Sequence, residues 1–181
     1  PDPRAVLPTE GLKVSRSLGK RIRNGGFTIS ADCAFAQVLE ACAGPRPGAT
    51  GTWITPAMRQ GYRELPELGY AHSIEVWQKE ALVGGLYGLS LGRMFFGESM
   101  FSRERDASKV GFYYLCAQLR RWEFNLIDCQ IMNAHLENLG AIEIARSEFL
   151  ALLAKNHQWP TRRGAWTLDE DLTGAGDNHD R

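Results

Sequence analysis

The segment HSIEVWQKEALVGGLYGLSLGRMFFGESM, residues 72–100, carries the clearest signal for the fold of this chain. Three runs rich in apolar, aromatic and β-branched residues, 72–78, 82–90 and 93–100, are typical of strands. The first two runs are joined by residues 79–81, Lys-Glu-Ala, a link of hairpin length. The segment therefore predicts an antiparallel meander.

Glycine is frequent within this meander. Positions 84, 85, 88, 92 and 97 are all glycine. Because glycine weakens a strand, such a cluster marks either β-bulges or a place where another backbone or a ligand approaches closely. Both interpretations are open at this point.

Upstream of the meander, the chain alternates short strands with helices. Residues 11–17 and 27–30 have strand patterns on either side of a basic turn. Asp32 can cap a helix that runs to Ala43. Thr55, which is followed by proline, marks the start of another helix.

Downstream of the meander, residues 107–123 carry the longest helical pattern, with apolar side chains at helical spacing. A strand is predicted at 125–131 and short helices at 134–139 and 146–154. Helices combined with an antiparallel sheet and a late crossover strand predict an α+β fold, a mixed α/β sandwich.

The composition bounds the class of protein. The chain has 181 residues with 44% hydrophobic content, which suits one globular domain. Its 21 basic and 21 acidic residues exclude a strongly charged polyelectrolyte. No run approaches the roughly 20 apolar residues of a membrane helix. The four cysteines form no C-x-x-C pair, which favours a reducing, cytoplasmic location. Because the chain begins with Pro1 rather than methionine, we expect a processed or truncated protein.

The charges are unevenly distributed along the chain. A basic cluster without acidic residues comprises Lys13, Arg16, Lys20, Arg21 and Arg23. It is either a site for a polyanion or a solvated surface. Residues 167–181 contain five acids and one base, and such a charged, polar segment is typical of disorder. We therefore expect a folded domain over 1–158 and a polar, disordered tail over 159–181.

Several common catalytic motifs are absent from the sequence. There is no G-x-S-x-G elbow, P-loop, G-x-G-x-x-G or H-E-x-x-H motif. The four histidines share no metal-ligand spacing with one another or with the cysteines. These absences argue against common hydrolases and nucleoside-triphosphate enzymes, and we expect neither a metal nor a cofactor.

Two polar groups within apolar runs are candidates for chemistry. In the strand NLIDCQI, residues 125–131, alternation places Asp128 and Gln130 on the same face, about 6.6 Å apart. Glu98 stands among aromatic and apolar residues in FFGESMF, residues 95–101, where a carboxylate must be paired or solvated. A purely structural role, such as a half-exposed sheet face, is the alternative for both.

Motifs along most of the chain resemble, in the same order, those of the bacterial leucyl/phenylalanyl-tRNA–protein transferases. They are PDPRAVL (1–7), GTWIT (51–55), HSIEVW (72–77), LVGGLYG (82–88), FFGESMFS (95–102), ASK (107–109) and LIDCQ (126–130). The resemblance covers residues 1–155 or so, and the ordered set is far more specific than any one motif. In this family a further segment precedes the first motif, and we expect that segment to be absent here.

This resemblance implies a fold and a reaction. The family's C-terminal domain is similar to the acyl-CoA N-acyltransferase superfamily, a GNAT-like, mostly antiparallel sheet flanked by helices. Its members transfer leucine or phenylalanine, and methionine-like side chains, from aminoacyl-tRNA to proteins that begin with Arg or Lys. The transfer marks those proteins for degradation in the N-degron pathway. The resemblance implies no cofactor, no metal and no membrane.

The resemblance also implies roles for individual residues. Asp128 and Gln130 would be catalytic: the Gln130 carbonyl accepts a hydrogen bond from the attacking amine, and Asp128 either orients it or removes the proton through water. The 3′ adenosine would contact Trp53, Phe95 and Glu98. The donor side chain would enter a pocket formed by Leu86, Met100, Phe112, Leu115, Leu119 and Ile127. Glu98 and Asp128 would favour a basic acceptor, and the basic cluster of Lys13 to Arg23 would hold the tRNA phosphates.

The pocket departs from the family's best-known pattern. Methionine is usual where this chain has Leu86, leucine where it has Phe112, and phenylalanine at both Leu115 and Leu119. The preference between leucine and phenylalanine is therefore open. Two other functions compete: an N-acyltransferase with an acyl-CoA donor, and a non-catalytic tRNA-binding domain. The segment SRERDASKVGF (102–112) lacks the glycine-rich pyrophosphate loop of coenzyme-A enzymes, which argues against the first.

Overall fold

A seven-stranded sheet forms the centre of the protein in the computed structural model, which describes residues 1–44 and 54–173. The strands are β1 (Arg4–Pro8), β2 (Thr28–Ala31), β3 (Ala71–Gln78), β4 (Ala81–Leu91), β5 (Met94–Ser102), β6 (Leu126–Gln130) and β7 (Ile142–Ile144). Across the sheet they lie in the order β2-β3-β4-β5-β6-β1-β7. Each neighbouring pair is antiparallel except β5 and β6, which are parallel. The predicted mixed α/β fold with a mostly antiparallel sheet is confirmed.

Helices cover both faces of this sheet. In the described part of the chain they are α1 (Arg16–Asn24), α2 (Phe35–Ala43), α3 (Pro56–Glu64), α4 (Ala107–Arg121), α5 (Ala134–Asn138), α6 (Arg146–Asn156) and α7 (Glu170–Thr173). On β4, Leu86 belongs to the core cluster that contains α4, and the adjacent Tyr87 belongs to the cluster that contains α2. Neighbouring residues of a strand point to opposite faces, so the two helices pack on opposite sides. None of these described helices combines the length and the apolar character needed to cross a bilayer.

The predicted meander is confirmed as strands β3, β4 and β5. Strand β3 pairs with β4 along its whole length, from Ala71 opposite Leu89 to Gln78 opposite Ala81. Lys79 closes the connecting turn with a positive φ of 56°. The runs of apolar, aromatic and β-branched residues therefore predict these strands correctly, because β3 and β4 are buried along most of their length.

Two glycines of the meander serve packing within the protein. A Cβ atom on Gly84 would lie 2.6 Å from Cβ of Ala107, so glycine allows α4 to approach the sheet. A Cβ atom on Gly88 would overlap the carbonyl oxygen of Phe96, beside a register shift between Tyr87 and Gly88. At these two positions, close helix approach and a bulge explain the glycines without a ligand.

The parallel pairing of β5 with β6 is short, so the sheet opens between these two strands. Only Met94, Phe95 and Phe96 of β5 have partners on β6, the last pairing with Asp128. Strand β5 continues to Ser102 along β4, whereas β6 ends at Gln130. The two strands therefore separate beyond Phe96, and the candidate site lies in that opening.

The prediction for the N-terminal region is partly wrong. Residues 11–17 do not form a strand; the strand of this region is β1, at Arg4–Pro8. The expected basic turn is helix α1, whose Ser15 hydroxyl accepts a hydrogen bond from the N–H of Leu18. Leu18 is buried in the main core, and the remaining positions of α1 face outward or are half-buried. Capping and one buried anchor thus favour a helix despite the basic composition.

Asp32 does not cap helix α2. It has a positive φ of 54°, and its carboxylate accepts hydrogen bonds from the N–H groups of Ser73 and Trp166. The long-range partners occupy the oxygens that a helix cap would use, so the capping prediction is wrong. By contrast, the predicted cap at Thr55 is confirmed, since its hydroxyl accepts from the N–H of Met58.

The segment that was predicted to be a disordered tail is packed against the core over its described part. Trp166 and Leu168 are buried, with 3% and 7% of their surfaces exposed, and belong to the main core cluster. The N–H of Asp169 donates to the side chain of Gln118 on α4. The prediction is wrong for residues up to 173 because two apolar side chains within a polar segment suffice to anchor it. Residues 174–181 lie outside the described residues.

Helices α4, α5 and α6 and strand β6, downstream of the meander, agree with the prediction. Helix α4 begins at Ala107 as expected and ends at Arg121, followed by β6, α5 and α6. Strand β7 has three residues and pairs with β1 at the edge of the sheet. A strand this short has no detectable period, which explains why the sequence did not predict it.

Candidate active site

An apolar cavity lies where β5 and β6 separate. Its volume is about 660 Å³. The two strands form one wall, and the start of α4 and residues near α5 form another. The apolar side of the lining includes Leu86, Phe95, Met100, Phe112, Ile127 and Leu136. A cavity of this size with a mainly apolar wall and a few polar groups suits an organic substrate.

Most of the predicted substrate-binding residues meet at this cavity. Leu86, Phe95, Glu98, Met100, Phe112 and Ile127 all contribute to its lining. They come from β4, β5, α4 and β6, four elements that the sheet order brings together. Their roles in binding stay predictions. Trp53, predicted to contact the adenosine, lies outside the described residues.

Leu115 and Leu119, which were predicted to line the pocket, differ from the other predicted residues because the cavity does not reach them. Both are fully buried in the main core, with 1% and 0% of their surfaces exposed, and neither is among the residues that line the cavity. Along a helix they lie about 4.5 and 10.5 Å beyond Phe112. The cavity meets only the first turns of α4, so the later turns pack against the sheet.

Asp128 is a fully buried carboxylate at the edge of this cavity, with 0% of its surface exposed. It is held by Arg4 of β1: Nε of Arg4 lies 2.9 Å from Oδ1, and Nη2 lies 2.6 Å from Oδ2. The same Oδ1 accepts the backbone N–H of Gln130 at 3.0 Å. A buried carboxylate requires such partners, and a two-point contact with arginine is the strongest kind available.

Gln130 ends strand β6 with a positive φ of 66°. Its Nε2 donates to the carbonyl of Gly97 at 2.9 Å. Gly97 lines the cavity, whereas Gln130 is not among the lining residues and is linked to them through this bond. Since Nε2 is engaged, the carbonyl oxygen Oε1 is the group of this amide that can accept from a substrate. The regular alternation that was predicted for Asp128 and Gln130 ends at this left-handed residue.

Glu98 lines the cavity from β5 and is bonded to Tyr62 of α3. Burial and the hydrogen bond to Glu98 together raise the pKa of the Tyr62 phenol, so this tyrosine stays neutral and its O–H donates a hydrogen bond to the Glu98 carboxylate. Among residues 1–44 and 54–173, no arginine or lysine forms an ion pair with Glu98. Within these residues, the carboxylate of Glu98 has a tyrosine rather than a cation as its partner.

The start of α4 forms a polar end of the cavity. The N–H of Ser108 donates to the Ser102 hydroxyl at 2.8 Å, and the N–H of Ala107 donates to the carbonyl of Glu104. Lys109 pairs with Asp106 at 2.8 Å, and this contact lowers the pKa of the Asp106 carboxyl. Protein groups thus already use two of the N–H groups that a helix start offers to an anion.

The predicted basic cluster lies mainly on helix α1 next to the cavity. Four of its side chains are exposed, whereas Arg21 is half-buried. Arg21 stacks over the ring of Phe27 at 4.6 Å and donates to the carbonyl of Arg105 at 3.2 Å. A depression beside α1 includes Asp106 and Lys109, which also line the main cavity. The exposed members of the cluster are Lys13, Arg16, Lys20 and Arg23.

Two residues of the site were not predicted from the sequence. Arg4 occurs in the motif PDPRAVL, where an arginine directly before the buried run of β1 is a weak signal for an internal ion pair. Tyr62 carries no signal, because its contact with Glu98 depends on how α3 packs on the sheet. In the described part of the chain, no group of three or more histidine, cysteine or acidic residues could hold a metal ion.

Comparison with solved structures shows the fold. The chain resembles the structure of L-PGS from Bacillus licheniformis, with a TM-score of 0.50 and 13% sequence identity. The match covers 74% of this chain and 46% of that chain. A GCN5-related N-acetyltransferase from Kribbella flavida matches with a TM-score of 0.47 over 80% of this chain and 55% of that chain, at 12% identity.

Comparison of sequences identifies the family. The family model for leucyl/phenylalanyl-tRNA protein transferase matches residues 6–154. The leucyl/phenylalanyl-tRNA–protein transferase of Thiobacillus denitrificans is 54% identical over 169 residues, which cover 93% of this chain and 74% of that protein. The protein of the same name from Stutzerimonas stutzeri is 56% identical over 161 residues, which cover 89% and 71%. This chain belongs to the leucyl/phenylalanyl-tRNA–protein transferase family, a family of transferase enzymes.

Proposed function

We propose that this protein transfers leucine or phenylalanine, and methionine-like side chains, from aminoacyl-tRNA to the α-amine of proteins that begin with Arg or Lys. The observation that carries the proposal is the buried Asp128 carboxylate, which lines the apolar cavity and accepts the backbone N–H of Gln130, while the Gln130 side chain donates to Gly97 in the same lining. The proposal extends to the cytoplasm as the location and to the N-degron pathway of degradation as the outcome, as the family resemblance implies.

The reaction is aminolysis of an ester. The acceptor nitrogen attacks the carbonyl carbon, an amide bond forms, and the bond to the ribose oxygen breaks. The amine loses a proton and the departing ribose oxygen gains one. Alignment of the two substrates alone can contribute about 7–11 kcal/mol to such a step. A mild polar assist at the amine is therefore sufficient.

Gln130 supplies this assist through its carbonyl oxygen. Because Nε2 is bonded to Gly97, Oε1 is fixed as the acceptor for an N–H of the attacking amine. Both oxygens of Asp128 are engaged, one by Nη2 of Arg4 and the other by Nε of Arg4 and the N–H of Gln130. Of the two roles open for Asp128, these contacts favour orientation of Gln130 over removal of the proton.

The donor amino acid fits the apolar wall of the cavity. Leu86, Met100 and Phe112 come from three different elements and contribute apolar side chains to the lining. An unbranched or γ-branched side chain can extend into such a slot. The adenosine would occupy the part of the cavity near Phe95 and Glu98, where an aromatic ring allows contact with a base.

Glu98 is the better of the two predicted acids for recognising a basic acceptor residue. Asp128 is already neutralised by Arg4, and Asp106 by Lys109. Glu98 has a tyrosine, Tyr62, as its hydrogen-bond partner rather than a cationic side chain. An acceptor arginine or lysine would pair with this carboxylate inside the cavity, where water screens the pair less than at an open surface.

Helix α1 suits the tRNA backbone. Lys20 and Arg23 are exposed on it, and Lys109 links the depression beside α1 to the main cavity. Basic side chains hold phosphates without reading sequence. The ester end of the tRNA would then enter the cavity while its phosphates lie along α1.

An acyl-CoA donor fits less well. The start of α4 has its Ala107 and Ser108 N–H groups bonded within the protein. The preceding turn, residues 103–106, contains no glycine. A pyrophosphate would have to displace those bonds, whereas a tRNA ester places no pyrophosphate there.

The test is a transfer assay. The protein is incubated with leucyl-tRNA and a peptide that begins with arginine, and mass spectrometry detects the added leucine. We expect transfer from leucyl-tRNA, and none from acetyl-CoA. Gln130→Ala should lower kcat by about 10²-fold, as expected for loss of alignment. The exposed Gln158→Ala is the matched control and should keep the rate. No transfer by the folded protein contradicts the proposal, as does full activity of Gln130→Ala.

A further inference from the structure

We propose that Arg4 is a positioning residue for the transfer reaction, acting through Asp128 on Gln130; the inference rests on the proposed function. Arg4 lies 124 positions before Asp128 in the sequence and is joined to it by two short contacts. It touches no atom that reacts. Its effect is to fix the carboxylate that holds the conformation of Gln130.

The sheet order brings Arg4 to this place. Strand β1 lies between β6 and β7, and its Val6 is opposite Asp128. A register shift between Ala5 and Val6 then sets Ala5 opposite Gln130. Arg4 is the next residue along β1, so its long side chain can return to the carboxylate. Only 20% of the Arg4 side chain is exposed.

The geometry of the contact determines the orientation of the carboxylate. A guanidinium presents its N–H groups in a fixed, planar arrangement, so two contacts set both the position and the plane of the acceptor. The distances of 2.9 Å and 2.6 Å involve a different oxygen each. A lysine at this position would keep the charge but could not define that plane.

The orientation of Asp128 matters because Gln130 depends on it. Gln130 has a φ of 66°, a backbone conformation that glutamine rarely adopts. Its N–H donates to Oδ1 of Asp128, the same oxygen that Nε of Arg4 contacts. From this backbone position the side chain reaches the carbonyl of Gly97. A continuous set of bonds thus runs from Arg4 to the amide that meets the substrate.

Arg4 has a second contact that offers a different explanation. Its guanidinium lies over the ring of Phe149 on α6, 4.9 Å from the centroid. Under this alternative, the function of Arg4 would be to hold helix α6 against the sheet through Phe149. The experiment must separate this structural role from action through Asp128.

The experiment is a double-mutant cycle of Arg4→Gln and Asp128→Asn in the transfer assay. We expect Arg4→Gln alone to lower kcat by on the order of 10²-fold with little change in KM for aminoacyl-tRNA, because the cavity stays intact. In the Asp128→Asn background, Arg4→Gln should have little further effect, since its target is already altered. Independent, multiplicative losses would overturn the inference. The double variant has no unpaired buried charge and is expected to fold.

Conservative and control variants complete the design. Arg4→Lys keeps the charge and should still lower kcat, because it lacks the planar contact. Phe149→Leu removes the ring under Arg4 and should leave kcat unchanged; a loss equal to that of Arg4→Lys would overturn the inference. Arg93→Lys is a matched arginine control, as Arg93 also stacks on a ring, that of Trp159, and pairs with Glu123. It should keep the wild-type kcat.

A measurement that needs no activity separates this inference from the proposed function. In the NMR spectrum, the backbone amide proton of Gln130 should have a shifted resonance and slow exchange with solvent, because it is bonded to the Asp128 carboxylate. Arg4→Lys should change both the chemical shift and the exchange rate. If the wild-type protein transfers no amino acid, the proposed function fails while this readout still decides the role of Arg4. An unchanged Gln130 signal in Arg4→Lys would overturn the inference.

Discussion

The imidazole ring of His72 lies flat against the indole ring of Trp166, with centroids 3.7 Å apart and an angle of 7° between the planes. Asp32 joins the two residues. One of its carboxylate oxygens accepts a hydrogen bond from the backbone N–H of Trp166 at 2.7 Å and lies 2.8 Å from Nδ1 of His72. Trp122 also contacts the same indole. The C-terminal segment is thereby part of the main core and continuous with the domain that carries the site.

Removal of the Trp166 side chain should destabilise the whole domain. We expect Trp166→Ala to lower the free energy of unfolding by about 3–5 kcal/mol, because it leaves a large cavity in the core. Urea denaturation followed by circular dichroism measures this. Trp159→Ala is the control, since that ring is 38% exposed and mainly contacts Arg93; its cost should be about 1 kcal/mol. Equal unfolding midpoints for the two variants would contradict the role of Trp166.

Glu98→Gln should weaken the preference for basic acceptors. A hydrogen bond to a charged group contributes about 1.5–3 kcal/mol, so kcat/KM for a peptide with N-terminal arginine should fall at least about tenfold. For a peptide with N-terminal citrulline, which has the same shape without the charge, it should change little. Glu67→Gln, an exposed acid outside the cavity, is the control. Equal losses for both peptides would show that Glu98 does not recognise the charge.

His135 should make the stability depend on pH. Burial, and then the nearby Lys109, lower the pKa of His135 below its ordinary value of 6.5. The unfolded chain therefore binds a proton at a higher pH than the folded protein does, and stability is lost as the pH falls below about 6.5. Urea midpoints measured between about pH 7 and pH 5 should decrease less in His135→Gln than in the wild type. Parallel pH profiles for the two proteins would contradict this assignment.

Neutralising helix α1 should flatten the salt dependence of tRNA binding. Lys20→Gln combined with Arg23→Gln should reduce the slope of log affinity against log salt by about 2, because each basic side chain that binds a phosphate adds about one to that slope. The binding is measured by fluorescence anisotropy with labelled tRNA. Arg146→Gln with Lys155→Gln removes two exposed charges from α6 and should leave the slope unchanged. If the α1 variant keeps the wild-type slope, helix α1 does not bind the tRNA phosphates.

Local sequence patterns predicted much of the fold and part of the site. The meander, α4 and the strand with Asp128 follow from period and turn signals that act over a few residues. Helix α1 was not predicted because only one of its side chains, Leu18, is buried, so the basic segment has no clear apolar period. Leu115 and Leu119 were placed in the pocket because helical spacing gives a face of the helix but not how far along it a cavity extends.

Residue order alone was enough to establish the family, the strands of the meander and the acid and amide of β6, because these depend on spacing within short segments. Three contacts follow from the three-dimensional packing instead: Arg4 neutralises Asp128, Tyr62 meets Glu98, and Trp166 closes the core. These contacts join residues far apart in the chain. They exist only because β1 is inserted between β6 and β7 and the helices pack on both faces, a long-range order that no local pattern encodes.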